Sequence, residues 1–207
     1  MTASARSGVD ADSTSAAAAL TAAGIWIQDG FLALSVRDAL KQCAQARRQR
    51  GDFAAARIGG AQSVTRRADI RGDSTCWISP PLLPAEAALL GELERLRLEL
   101  NRDCLLGLFD LELHYAWYAP GAGYARHVDQ PRGSTQRQVS LVLYLNDQWT
   151  PAAGGELRIF DAHGGHRDIA PLAGRLVCFL TPEREHAVRE TQQDRLSISG
   201  WFRAREG

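Results

Sequence analysis

The apolar residues change their spacing near residue 111, and this change constrains the fold more than any other feature. Before it, Leu89, Leu93 and Leu96 repeat every three or four residues, the period of one buried helix face. An earlier stretch with the same period starts at Ser35, the predicted N-cap. After residue 111, short apolar stretches alternate with Gly and Pro clusters, which is typical of an antiparallel sandwich or barrel. The predicted strands are 111–118, 124–129, 138–145, 156–161, 174–180 and 195–203.

This order of elements predicts one α+β domain in which N-terminal helices brace a jelly roll. The helical support is expected over about 34–101 and the β core over about 111–203. Residues 1–23 are rich in Ala, Ser and Thr and are predicted to be a flexible tail. The single domain is therefore expected to cover 24–207.

Charge and cysteine content disfavour several classes of function. Twenty-four basic residues balance 24 acidic ones, so no nucleic-acid partner is expected. No apolar run reaches the length of a membrane-spanning helix, so no membrane association is expected either. The four cysteines are widely spaced and form no CxxC pair, which disfavours a zinc site and predicts a reducing, cytoplasmic location.

His127 and Asp129 lie two positions apart in a predicted strand, so their side chains are expected on the same face. A cation held there needs a third ligand, and His186 is the best candidate because it follows an apolar strand. Two histidines and one carboxylate form the facial triad of non-haem Fe(II) oxygenases. The spacing alone is weak evidence for a metal site, since a surface His near an Asp is common. His114, in another predicted strand, is expected to be structural.

Arg195 is a fourth polar residue in register with this set. It begins an apolar strand, and Ser197 shares its face. A buried arginine is rare unless it is paired, and its guanidinium can hold a carboxylate through two hydrogen bonds. The far carboxylate of 2-oxoglutarate is one such ligand, and an ordinary structural ion pair is the alternative. The triad favours 2-oxoglutarate.

Several motifs together carry a resemblance to a known family. They are Ile-Arg-Gly-Asp with Trp-Ile within 70–78, Gly-Tyr with Arg-His-Val-Asp within 123–129, Tyr-Leu-Asn at 144–146, Gly-Gly with Leu-Arg-Ile-Phe within 154–160, and His186, Arg195 and Trp201. Between Ile70 and Phe202 the chain resembles the prolyl hydroxylase domains of the EGL-nine family of iron- and 2-oxoglutarate-dependent dioxygenases. The resemblance implies a cupin-like, double-stranded β-helix fold. No zinc-finger motif precedes the domain, so the chain looks nearer to the single-domain bacterial members.

The resemblance also implies roles for individual residues. Iron would be held by His127, Asp129 and His186. The residues implied around 2-oxoglutarate are Arg195 and the Tyr144 hydroxyl at its C5 carboxylate, Tyr118 beside it, and Trp201 at its flank. Ser197 departs from the family pattern: it gives an Arg-x-Ser arrangement that is usual in more distant 2-oxoglutarate oxygenases, so we expect it to share the carboxylate with Tyr144. For Trp201, packing in the core is the alternative.

A mobile substrate loop around 61–75 is implied as well. It contains Arg71 and Asp73. Asp73 and Arg137 look like the pair that tethers this loop to the barrel. The alternative for that pair is two solvated surface charges.

The implied activity is hydroxylation of a prolyl residue in a protein segment, with release of succinate and CO2. It would use Fe(II), 2-oxoglutarate and O2, with ascorbate as reductant. By resemblance to the bacterial members, elongation factor Tu is a candidate substrate. The alternatives are a 2-oxoglutarate oxygenase acting on another residue or a small molecule, and a non-catalytic metal-binding jelly roll.

Overall fold

The computed structural model describes residues 14–56, 70–130 and 134–205. Its helices are α1 (Ala16–Ala23), α2 (Leu34–Gln49) and α3 (Pro84–Cys104). Its strands are β1 (Ile25–Gln28), β2 (Ala54–Ala55), β3 (Asp73–Trp77), β4 (Leu108–Tyr118), β5 (Tyr124–His127), β6 (Arg137–Tyr144), β7 (Leu157–Phe160), β8 (His166–Ile169), β9 (Leu176–Leu180), β10 (His186–Val188) and β11 (Arg195–Ala204). None of these helices is long and apolar enough to cross a membrane.

The strands form two antiparallel sheets. The larger sheet has the order β1-β9-β6-β11-β4-β3-β2, and the smaller has the order β5-β10-β7-β8. Neighbours in each sheet are mostly distant in sequence, as expected for a jelly roll rather than a series of hairpins. The predicted α+β jelly roll braced by helices is therefore confirmed.

The two faces of the larger sheet pack against different layers. On β6, Leu141 and Leu143 belong to the same buried cluster as Leu93 of α3. Tyr144, the next residue along, packs with Leu157 of the smaller sheet. This alternation follows from the two-residue period of a strand. The helices thus cover one face, and the other face is available for a site between the sheets.

The prediction of a flexible tail over 1–23 is wrong for its last third. Ser15 caps α1 by accepting a hydrogen bond from the Ala18 amide (3.2 Å), and Ala16, Ala17 and Leu20 are buried in the main core. Alanine has the highest helix propensity, and its small side chain allows close packing of α1 against the domain. Residues 1–13 lie outside the described part of the chain.

Several element boundaries differ from the predicted ones. Helix α2 begins after Ala33 instead of Ser35, and α3 continues three residues beyond Asn101. The strands β1, β8 and β10 were not predicted. They have three or four residues each, which is too short for a periodic pattern to show.

Glu86 is a fully buried carboxylate that joins α3 to α2 and β4. Its Oε1 accepts hydrogen bonds from Arg47 Nη2 (2.8 Å) and the Tyr115 hydroxyl (3.1 Å). Its Oε2 accepts one from the Leu83 amide (3.0 Å), which closes the first turn of α3. One side chain therefore fixes both long helices to the central sheet.

We expect Glu86→Ala to lower the free energy of unfolding by about 3 kcal/mol, because it leaves three donors and the Arg47 charge without their acceptor. Chemical denaturation measures this loss. Glu92→Ala is the control, since among the described residues Glu92 pairs only with Arg95 at the surface. It should change the free energy of unfolding by less than about 0.5 kcal/mol. Equal losses in the two variants would contradict the role given to Glu86.

Candidate active site

A cavity that opens to solvent lies between the two sheets. Its walls come from β4, β6 and β11 of the larger sheet and from β5, β7 and β10 of the smaller one. The volume inside it that a water molecule can reach is about 50 Å³, so the cavity is narrow. The predicted site residues His127, Asp129, His186, Arg195, Tyr118 and Trp201 line it.

The structure brings His127, Asp129 and His186 together although the third is far away in sequence. His127 ends β5, His186 begins β10, and the two residues pair directly across these strands. Asp129 Oδ1 lies 3.4 Å from His127 Nε2, and Asp129 Oδ2 lies 3.5 Å from His186 Nε2. One potential ligand atom from each residue lies within 4.8 Å of the others. This arrangement fits a single metal ion bound on one side by the protein.

Both histidine rings are oriented with Nε2 towards this point. His127 Nδ1 lies 2.7 Å from the Ala125 carbonyl oxygen, and His186 Nδ1 lies 3.2 Å from that of Arg184. A carbonyl only accepts, so each Nδ1 carries the proton and each Nε2 keeps a lone pair for a metal. The Tyr124 ring stacks on His127 with 3.6 Å between centroids and limits its rotation.

The local electrostatics keep these ligands ready to bind a cation. Burial opposes the ionised form of Asp129, but His186 and His127 beside it hold its pKa well below the usual range. Burial lowers the pKa of His186, and the Asp129 carboxylate opposes this only partly. The site therefore holds an anionic oxygen and a neutral imidazole at neutral pH, which are the forms that bind metal.

Arg195 lies at the inner end of the cavity and is 3% exposed. Its Nε donates to the Gly155 carbonyl (2.8 Å) and its Nη1 to Ser197 Oγ (3.3 Å). Its Cζ lies 5.0 Å from the Tyr118 ring centre and 5.1 Å from that of Tyr144. The strand register explains the cluster, because Arg195 pairs with Tyr118 and Ser197 pairs with Tyr144.

The hydrogen-bonding groups of this cluster are only partly satisfied. In the described ranges no acidic side chain pairs with Arg195, so the alternative of a structural ion pair finds no support there. The buried Tyr144 hydroxyl also has no hydrogen-bond partner among those residues. A guanidinium and a hydroxyl that both lack an anionic acceptor fit the carboxylate of a bound ligand.

The predicted pair of Asp73 and Arg137 is wrong. Asp73 binds Arg71 through two hydrogen bonds of 2.7 and 3.0 Å. Arg137 instead donates to Glu112 (3.1 Å) and to the Asp129 carbonyl (2.9 Å). The register separates the two side chains. Asp73 pairs with Tyr118 of β4, which in turn pairs with Arg195 at the start of β11. Arg137 pairs with Arg203, near the other end of β11. Most of the loop predicted over 61–75 lies outside the described residues.

Trp201 and His114 line one side of the cavity, and Trp77 packs against both of them. The ring centres of Trp201 and His114 are 5.5 Å apart, those of Trp77 and His114 are 5.0 Å apart, and Arg137 Cζ lies 3.4 Å from the Trp201 ring centre. Trp201 is buried, whereas Trp77 is half exposed. Trp201 therefore lines the cavity and also packs in the interior, so neither of its two predicted roles excludes the other.

His114 faces the cavity, which the sequence did not predict. It is 3% exposed, its Nδ1 has no hydrogen-bond partner in the described ranges, and burial lowers its pKa to about 4. It is neutral at pH 7. Its position in register with Tyr118, four residues on along β4, was the available signal.

Comparison with known proteins agrees with this geometry. Residues 113–203 match the model of the 2OG-Fe(II) oxygenase superfamily. The crystal structure of a Pseudomonas putida prolyl-4-hydroxylase superposes with a TM-score of 0.82 and 40% identity, over 91% of this chain and 96% of that one. The chain belongs to the prolyl hydroxylase family of 2OG-Fe(II) oxygenases. The donor set at His127, Asp129 and His186 fits the iron of that family.

Two further relatives extend the comparison. A Trichoplax adhaerens prolyl hydroxylase, solved with a hypoxia inducible factor peptide fragment, has a TM-score of 0.81 and 26% identity over 89% of this chain and 86% of that one. Human Egl nine homolog 1 is 30% identical over 191 residues, which cover 86% of this chain and 43% of that protein. The chain thus spans about half the length of the Egl nine homologs it matches.

Proposed function

We propose that this prolyl hydroxylase-family chain hydroxylates a prolyl residue in a protein segment and converts 2-oxoglutarate to succinate and CO2. The match with the Pseudomonas putida prolyl-4-hydroxylase carries the proposal, because it covers nearly all of both chains at 40% identity. Among the described residues Arg195 has no acidic partner and the Tyr144 hydroxyl has no hydrogen-bond partner, which supports 2-oxoglutarate as the second substrate. The Trichoplax adhaerens relative binds a peptide fragment, which supports a protein substrate.

We assign Fe(II) to His127, Asp129 and His186. Bound there, it would supply the activation of O2 by which one oxygen atom enters succinate and the other enters a C–H bond of the substrate. The Arg195 guanidinium and the Tyr144 hydroxyl would hold the C5 carboxylate of 2-oxoglutarate. The Tyr118 ring would restrict the cosubstrate from one side, and Ser197 would keep the Arg195 fork in place.

The remaining walls would position the peptide and exclude water. Trp201 and His114 form an aromatic surface along the cavity, backed by Trp77, which suits the apolar ring of proline. None of these side chains has to transfer a proton. The protein then contributes orientation and desolvation, which are large terms in catalysis when a reactive group is held beside its target.

We further propose elongation factor Tu as the substrate, on the resemblance to bacterial single-domain members. Ascorbate is the proposed reductant that keeps the iron as Fe(II). The cytoplasm is the proposed location, since none of the four cysteines forms a disulfide.

The experiment combines the purified chain with Fe(II), ascorbate, 2-oxoglutarate and purified elongation factor Tu. We expect succinate release to rise with the substrate, and mass spectrometry to find one prolyl residue heavier by one oxygen atom. A bacterial lysate treated in parallel tests prolyl hydroxylation separately from the choice of elongation factor Tu as the substrate. Prolyl oxidation of another protein would replace only the named substrate, whereas oxidation of a different residue type would overturn prolyl hydroxylation.

A further inference from the structure

Two buried hydroxyl groups lie behind the carboxylate of Asp129. Ser140 Oγ of β6 donates a hydrogen bond to Asp129 Oδ2 over 2.9 Å. Thr181 Oγ1 lies 2.9 Å from Ser140 Oγ. Ser140 is 1% exposed and Thr181 is fully buried. Neither residue has a part in the proposed function so far.

The direction of both hydrogen bonds follows from counting protons. A carboxylate that binds a metal is ionised and can only accept, so the single hydroxyl proton of Ser140 is used on Asp129. Ser140 Oγ must then accept the proton of Thr181. The result is a directed chain from Thr181 through Ser140 to Asp129, in which each hydrogen bond polarises the next in a dry environment.

This chain of hydrogen bonds distinguishes the two carboxylate oxygen atoms of Asp129. Oδ2 accepts the Ser140 proton, whereas in the described part of the chain no hydroxyl or main-chain amide donates to Oδ1. The Trp201 indole lies nearby, but its Nε1 makes no hydrogen bond to any described residue. Arg137 Nη1 donates to the main-chain carbonyl of Asp129 (2.9 Å), so the backbone is fixed as well.

Thr181 also connects Asp129 to the third ligand. It begins the short 3₁₀ turn Thr181–Glu183, and the chain reaches His186 three residues after that turn ends. Arg184, immediately after the turn, provides the carbonyl oxygen that holds His186 Nδ1. The hydroxyl pair therefore joins β6, the Asp129 side chain and the segment that carries His186.

We propose that Ser140 and Thr181 are positioning residues that make Asp129 bind the metal through Oδ1 alone. A one-oxygen carboxylate leaves more of the coordination sphere open for 2-oxoglutarate and O2. Groups that orient metal ligands in this way typically change metal affinity by about 10-fold to 100-fold when they are removed. The inference rests on the iron site of the proposed function but is independent of its substrate.

The test uses Co(II) as the probe, without peptide or 2-oxoglutarate. Ser140→Ala removes the donor to Asp129 with little change in volume, and Thr181→Val removes the second hydroxyl at nearly constant shape. Thr181→Ser restores that hydroxyl. Ser74→Ala deletes a hydroxyl elsewhere on the larger sheet, where Ser74 donates to the Trp117 carbonyl. Titration calorimetry gives the affinity, visible absorption reports the Co(II) coordination, and thermal unfolding checks the fold.

We expect Ser140→Ala to weaken Co(II) binding about 10-fold to 100-fold and to change the visible bands as both carboxylate oxygens reach the metal. Thr181→Val should show a smaller change of the same kind, with Thr181→Ser and Ser74→Ala at the wild-type values. Unchanged Co(II) binding in Ser140→Ala overturns the proposal. So does an equal loss in Thr181→Val and Thr181→Ser, and that pair decides the matter if Ser140→Ala does not fold.

Discussion

Asp129→Ala is expected to abolish metal binding and 2-oxoglutarate turnover together. Asp129 is the anionic member of the triad, and its carboxylate lies within 3.5 Å of both histidine Nε2 atoms. Without it, two imidazoles and no anionic ligand remain to hold a dication. We expect Fe(II) or Co(II) affinity to fall by more than about 100-fold, since even the loss of an outer hydrogen bond costs up to that factor.

Calorimetry with Co(II) and a succinate assay measure the two effects of this substitution. Asp103→Ala is the matched control, because Asp103 is a carboxylate at the end of α3 whose only salt-bridge partner in the described part of the chain is Arg102. It should bind metal and release succinate as the wild type does. If wild type and Asp129→Ala consumed 2-oxoglutarate at the same slow rate, the enzyme assignment would fail and the non-catalytic jelly roll would become the better hypothesis.

Arg195→Ala has the second largest expected effect, and it should act on the cosubstrate instead of the metal. The buried guanidinium has no anionic partner in the described ranges, so removing it deprives the 2-oxoglutarate carboxylate of its cation. Truncating one member of a buried charged hydrogen-bonded pair costs about 2 to 5 kcal/mol. The KM for 2-oxoglutarate should therefore rise roughly 30-fold or more, with Co(II) affinity nearly unchanged.

Tyr144→Phe provides the graded comparison for Arg195→Ala. It removes one neutral hydroxyl and keeps the ring, so the KM for 2-oxoglutarate should rise only about fivefold. Steady-state kinetics at saturating Fe(II) measure both variants. A parallel loss of metal affinity and cosubstrate affinity in Arg195→Ala would identify a structural arginine.

The parts of the fold with long periodic patterns could be predicted from sequence. The four-three-four leucine spacing of α3 indicated a helix, and the apolar stretches of β4, β6 and β11 indicated the larger sheet. The smaller sheet was less accessible, because β8 and β10 have only three or four residues. Such short strands depend on long-range pairing, which a local pattern does not contain.

The candidate site could likewise be predicted from the sequence only in part. The close spacing of His127 and Asp129 indicated the site, although β5 ends at His127 and Asp129 lies in the bend just after it, so the strand period does not place its side chain. The position of Arg195 at the start of β11, with Ser197 on its face, does follow from the strand period. The hydrogen bond between Ser140 and Thr181 depends on which strands are neighbours and in what register they pair. The same holds for the observed ion pairs of Asp73 with Arg71 and of Arg137 with Glu112. A single sequence specifies that register only through the whole packed core.

The direct pairing of His127 with His186 across β5 and β10 also affects how long the protein lasts. A metal bound to both residues cross-links two short neighbouring strands at the point where β5 ends, much as a covalent bridge would. Because the metal would bind the folded form and not the unfolded one, its binding free energy would add to the free energy of unfolding. Iron availability would then govern the lifetime of the folded chain as well as its catalytic rate. Iron scarcity would therefore lower the amount of folded protein in addition to its activity.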